Sequence, residues 1–250
     1  MIKKSFLSDQ CKEVILGSLL GDGSLKIHEP YKNARFSFRH SIQQREYFFW
    51  KVAQLKEISG ESCWWEQEKN GLGGVMLRYQ SIASEELTEV YQATHKKNRL
   101  AIKRKWLNQL TARSLAVWWL DDGSLITNGR RGVLCTDPFT YEEQKILAQY
   151  LLKVWGVKVA IGKIKRVREG KNYEYYRLWI RSSEELKKFL LIILPYIKVS
   201  SMLPKVLLLY KDSQLQQRWI SEVSKATGFS EKRIEEYVDQ KKTKWKMFRK

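Results

Sequence analysis

One tetrapeptide occurs twice in this chain of 250 residues: Asp22-Gly23-Ser24-Leu25 returns as Asp122-Gly123-Ser124-Leu125, 100 residues later. An apolar run precedes each copy, VILGSLLG before Asp22 and LAVWWLD before Asp122. Read as helices, these runs set each aspartate at a helix C-terminus, where the negative end of the dipole disfavours a carboxylate. Two such acids brought together at a helix seam would repel each other as well. A divalent cation between them relieves both problems. Mg²⁺ suits the task, being hard, oxygen-binding and content with one or two carboxylates plus phosphate oxygens. Other chemistries lack their parts. His28, His40 and His95 show no ligand spacing, which argues against a zinc hydrolase, and Ser24 and Ser124 have no histidine in a triad-like order. Cys11, Cys63 and Cys135 lie far apart with no C-x-x-C, so an intracellular chain with reduced thiols is expected.

The elements around the two acids echo each other too. The first helix has Ser8 or Asp9 as its N-cap, carries Val14, Ile15, Leu16, Leu19 and Leu20, and offers the small Gly17 and Ser18 for close approach. Gly21 and Gly23 are expected to end it in the left-handed conformation. Thr111 or Ser114 caps the second helix, which Gly123 closes, and Trp118 and Trp119 belong to the core. Val117 and Trp118 replace the small pair, so the two helices must pack asymmetrically. In Arg35–Arg39 apolar and polar residues alternate, which predicts a strand with one buried and one basic face. Tyr176–Arg181 repeats this with Arg177, Trp179 and Arg181 on one face, and 163–172 reads as a basic hairpin. Shorter strands are expected at 75–79 and 133–136, and helices at 141–155 and 184–194. If 64–65 is a strand, Trp64 and Trp65 point to opposite faces.

Lys and Arg number 46 against 27 Asp and Glu, a formal net charge of +19, which points to a polyanionic partner, most often nucleic acid. The longest apolar run stops at Pro195, far short of the roughly 20 residues of a membrane span.

Ile15–Gly23 (ILGSLLGDG) and Leu115–Gly123 (LAVWWLDDG) resemble the two signature motifs of the LAGLIDADG homing endonuclease family in its monomeric, two-motif form. The resemblance reaches to about Lys205, with LTARSLAVWWLDDG and FTYEEQKIL following the family pattern in the second half. It implies an α+β fold of two pseudo-twofold αββαββα halves (1–108 and 109–205) whose antiparallel sheets form a DNA-binding saddle. A helical extension, 206–250, follows: a turn at 226–230, a short helix at 231–238 and a basic tail from Lys241. That segment is expected to pack and end in a solvated tail, with DNA grasping as the alternative.

The resemblance further implies that Asp22 and Asp122 bind the metal, Mg²⁺ with Mn²⁺ as a substitute, helped by the backbone carbonyls of Gly21 and Asp121. Lys205, in Met202-Leu203-Pro204-Lys205, is similar to the second-half catalytic lysine; in the first half Lys97 takes that place, with Arg99 and Lys103 as alternatives. The activity implied is a double-strand break in a long asymmetric DNA site, made by a monomer. The alternative is an RNA-binding intron maturase of the same fold. Base and phosphate contacts are expected from Lys26, Arg35, Arg39, Arg78, Lys163, Lys165, Arg177, Trp179 and Arg181.

Overall fold

The computed structural model describes residues 7–68, 74–126, 129–168 and 170–247. The chain divides into two compact units, Met1–Asp121 and Asp122–Lys250.

In the first unit, α1 (Asp9–Leu19) begins at Ser8, whose hydroxyl accepts the Cys11 N–H at 3.2 Å. A sheet follows, built from β1 (Ser24–Lys26), β2 (Arg35–Ser41), β3 (Trp64–Gln67) and β4 (Met76–Gln80) in the order β1-β2-β4-β3, antiparallel throughout. Helix α2 (Arg45–Gln54) connects β2 to β3, and α3 (Glu85–Thr94) follows β4. Strand β2 alternates as expected: Phe36, Phe38 and His40 are buried, while Arg35, Ser37 and Arg39 take the other face. Beyond α3, the short hairpin β5 (His95–Lys96) and β6 (Arg99–Leu100) leads through α4 (Arg104–Leu107) to α5 (Ala112–Asp122). Thr111 and Ser114 cap α5 reciprocally, each hydroxyl accepting the other's N–H at 3.4 and 3.3 Å.

Gly17 lets α1 and α5 meet: a Cβ there would run into the Ser114 carbonyl and stand 2.9 Å from the Val117 Cβ. The packing is therefore asymmetric, a glycine on one helix against a valine on the other. Gly123 closes α5 as expected, but the left-handed conformation expected of Gly21 and Gly23 is corrected. Neither has positive φ; among the described residues the glycines that do are Gly129, Gly156, Gly170 and Gly228. Gly21 and Gly23 serve close approach, since a Cβ would fall 2.5 Å from the Asp121 Cβ at one and 2.7 Å from the Ser18 Cβ at the other.

The second unit repeats the sheet: β7 (Gly123–Ile126), β8 (Arg131–Leu134), β9 (Ala160–Arg168) and β10 (Lys171–Ile180) in the order β7-β8-β10-β9. Helix α6 (Tyr141–Trp155) is bounded by a Thr140–Glu143 capping box and by Gly156 at φ 66. Leu147, Tyr150 and Leu151 of α6, and Leu186, Phe189 and Leu190 of α7 (Ser183–Ile193), bury against Leu134, Leu178 and Ile180. The extension forms two long helices, α8 (Ser213–Thr227) and α9 (Glu231–Met247), joined by Gly228 at φ 84. Helix α9 runs nine residues beyond the expected 231–238, and Lys241 is no part of a solvated tail. Its ammonium donates to the carbonyls of Pro204 and Leu207 at 2.7 and 2.8 Å. Arg249 and Lys250 lie outside the described residues.

Candidate active site and nucleic-acid face

Asp22 follows the last turn of α1. The N–H groups of Gly21 and Gly23 both return to the Ser18 carbonyl, at 2.9 and 2.7 Å, which fixes the turn that presents it. The Asp22 side chain is 38% exposed, whereas that of Asp121 is fully buried. This contrast decides what each carboxylate can do. Asp121 is saturated with donors: Lys51 Nζ reaches its two oxygens at 3.1 and 3.0 Å, Tyr47 Oη donates at 2.8 Å, and the Asp22 N–H donates at 3.3 Å. His40 sits between the two acids, Nδ1 3.5 Å from Asp22 and Nε2 3.8 Å from Asp121. Burial first, and the Asp121 charge second, push the Tyr47 hydroxyl well above its ordinary pKa, so it stays protonated and donates.

One ligand atom each from Asp22, His40 and Asp121 lies within 4.8 Å of the others. Of the three, Asp121 is already taken up by its donors, and the half-exposed Asp22 carboxylate is the hard oxygen ligand that suits a cation such as Mg²⁺.

Sequence reasoning missed His40, Tyr47 and Lys51. The strand alternation puts His40 on the inward face with Phe36 and Phe38, and Lys51 shares a helical face with Tyr47 and Phe48. A polar side chain at an inward position was the available signal. Lys97, the expected first-half basic residue, sits at the tip of the β5–β6 hairpin with φ 50, followed by Asn98 at φ 61.

In the second unit Asp122 ends α5, and its carbonyl accepts the Cys135 N–H at 3.1 Å. Lys205 closes a 3-10 turn, Ser200–Lys205. The charges of both Asp122 and Lys205 act on the Cys135 thiol, whose pKa is raised chiefly by burial.

The outward face of the first sheet opens onto a cleft of about 570 Å³, lined by Asp22, Lys26, His28, Arg39, Trp65 and Arg78 among others. Its register sets basic residues opposite one another. Lys26 stands directly opposite Arg35, and Arg39 directly opposite Arg78, with Trp65 next in the row across β4. Like charges facing each other across strands are destabilising without an anion between them. The Nε atoms of Arg35 and Arg78 have no hydrogen-bond partner among the described residues. Trp64 turns to the other face and packs edge-on against Phe49, as the alternation required.

The corresponding residues of the second sheet are partnered within the unit. Lys163 and Lys165 reach Glu174 at 2.6 and 3.7 Å, and Arg177 forks onto Asp137 at 2.6 and 2.8 Å. Trp179 shares the Arg177 face and lies against Gly162, where a Cβ would clash with its indole. Arg181 is exposed just past the end of β10. No helix among the described residues is long and apolar enough to cross a membrane.

Comparison with known proteins places these motifs in context. The LAGLIDADG DNA endonuclease family model matches residues 12–189. A RecA protein of Mycobacterium gastri is 32% identical over 171 residues, covering 63% of this chain and 39% of the relative. The chain thus spans under half the length of the RecA relatives it matches. The DNA endonuclease I-ChuI of Chlamydomonas applanata is 25% identical over 155 residues, 54% of this chain and 67% of that one. The cytochrome b mRNA maturase bI2 of Saccharomyces cerevisiae is 25% identical over 195 residues, 74% of this chain and 44% of that one. Among solved structures, the homing endonuclease I-WcaI bound to its DNA recognition sequence shares the fold, with a TM-score of 0.68 at 23% identity over 82% of this chain and 89% of that one. With a duplicated motif, two sheets of one strand order and a family match over most of its length, the chain belongs to the LAGLIDADG DNA endonuclease family.

Proposed function

We propose that this chain is a site-specific homing endonuclease that cuts both strands of a long, asymmetric DNA target by metal-dependent phosphodiester hydrolysis, working as a monomer. The observation that carries the reading is the cleft where Asp22 opens beside the Lys26–Arg35 and Arg39–Arg78 pairs, an acid at the edge of a face that needs a polyanion. In this reading the two motif-led halves, 1–108 and 109–205, supply one acid each. Asp22 and Asp122 hold Mg²⁺, or Mn²⁺ in its place, with the main-chain carbonyls of Gly21 and Asp121 assisting. When bound, the cation activates water and offsets charge on the phosphate and the departing 3′ oxygen. Lys205 balances phosphate charge or polarises solvent on the second-half side; Lys97 is the first-half candidate. Lys26, Arg35, Arg39 and Arg78 contact DNA from the first sheet. Lys163, Lys165, Arg177, Trp179 and Arg181 do so from the second, Arg177 already oriented by Asp137.

A second reading, an RNA-binding intron maturase, is favoured by the similarity to the bI2 maturase. Cleavage selection on a randomised DNA library in Mg²⁺ separates the two. The endonuclease reading predicts enrichment of one long cut site; no cut site, together with tight binding of a structured intron RNA, favours the maturase.

A further inference from the structure

Cleavage at Asp22 and Asp122 leaves two deeply buried charged side chains of the first unit without a part. The Lys51 and Asp121 side chains are both wholly inaccessible. Lys51 also lies over the Phe38 ring, 4.4 Å from its centroid, within the aromatic surroundings of His40. A buried ion pair is weak evidence of a stability role, because two apolar residues of similar volume often do as well. Its geometry suggests a different task. Lys51 grips both Asp121 oxygens, and one of those oxygens receives the Asp22 N–H.

We infer that Lys51 is a positioning residue: by pinning Asp121 it makes that carboxylate a strut for the Asp22 main chain, and it withholds the Asp121 side chain from the cation. The inference deepens the endonuclease reading and rests on it, because the object positioned is the Asp22 carboxylate. Without Lys51, the pocket of Asp22, His40 and Asp121 would hold two acids competing for one cation. With Lys51, both Asp121 oxygens are held inside, and Asp22 is the one of these two carboxylates that lines the cleft.

The test compares Lys51→Met/Asp121→Leu, Lys51→Met/Asp121→Asn and Asp22→Asn with the full chain. It measures thermal midpoint, DNA affinity in Ca²⁺, Mn²⁺ affinity by calorimetry, and single-turnover cleavage in Mg²⁺. The double variant removes both charges together, so its melting midpoint should stay near that of the parent. A positioning role predicts cleavage on the order of 100-fold slower, with DNA affinity within about threefold of the parent. Mn²⁺ affinity should fall about tenfold or more, as for other outer partners of a metal ligand. Lys51→Met/Asp121→Asn keeps the Asp121 side-chain shape without stranding a buried ammonium, and provides the same readouts should the first double variant not fold. Parental cleavage rate and Mn²⁺ affinity in a folded variant would overturn the inference and reduce the pair to a space-filler. If that happens while Asp22→Asn is inactive, only the inference fails. If Asp22→Asn also cuts and binds Mn²⁺ like the parent, the reading of Asp22 fails and takes the inference with it.

Discussion

Asp121 takes the motif position of Gly21, one residue before Asp122, the counterpart of Asp22, and burial separates the two carboxylates that meet in the first unit. Asp22 keeps an open carboxylate, while Asp121 is enclosed by Lys51, Tyr47 and the Asp22 N–H. Gly21 is the reason Asp121 can stand so close to the first motif. Gly21→Ala would set a Cβ 2.5 Å from the Asp121 Cβ, a contact that backbone or helix must move to relieve. The expected result is a loss of about 1–3 kcal/mol, read in a urea melt, the usual cost of overpacking a tight site. Unchanged stability would show that the two motif ends have slack. The duplicated Asp-Gly-Ser-Leu made Asp22 and Asp122 legible in the sequence. Lys51 was not, because a lysine in a chain with 46 basic residues reads as surface, and its partner lies 70 positions away.

At the scale of elements, local rules worked where the determinants were local. Helix α6 was expected at 141–155 and spans Tyr141–Trp155, because a capping box and a left-handed glycine fix both ends. The β9–β10 hairpin was equally readable from its alternation and Gly170. The C-terminal helix was underestimated: its charged residues suggested a tail, but Ile234, Val238 and the inward Lys241 bind it to the rest of the unit. Burial lowers the Lys241 pKa to about 8 from the ordinary 10.5. The unfolded chain therefore holds more proton than the folded one between those values, and stability rises with pH across that window. Below about pH 8 this contribution is lost, because both states are protonated. Melts at pH 7.5 and 9.5 should show the parent gaining stability relative to Lys241→Met. An identical response in the variant would contradict the burial of a charged ammonium.

For the whole molecule, a charge of +19 ensures attraction to any nucleic acid, so affinity alone says little about specificity. The informative charges are those set in register. Arg39 and Arg78 face each other in the cleft, and truncating either should cost about 1–3 kcal/mol of discrimination at one or two base positions. Binding to singly substituted sites at several salt concentrations reads this out. Uniform weakening at every site, with a salt slope reduced by about one unit, would make these arginines phosphate holders instead.

In the endonuclease reading, each motif contributes one metal-holding acid to DNA cleavage. The most direct test is single-turnover cleavage of a selected target in Mg²⁺ by Asp22→Asn and Asp122→Asn, with binding measured in Ca²⁺. Each variant should bind the site like the parent and make no double-strand break; a variant that still cuts both strands at the parental rate would show that the replaced acid holds no metal the reaction needs.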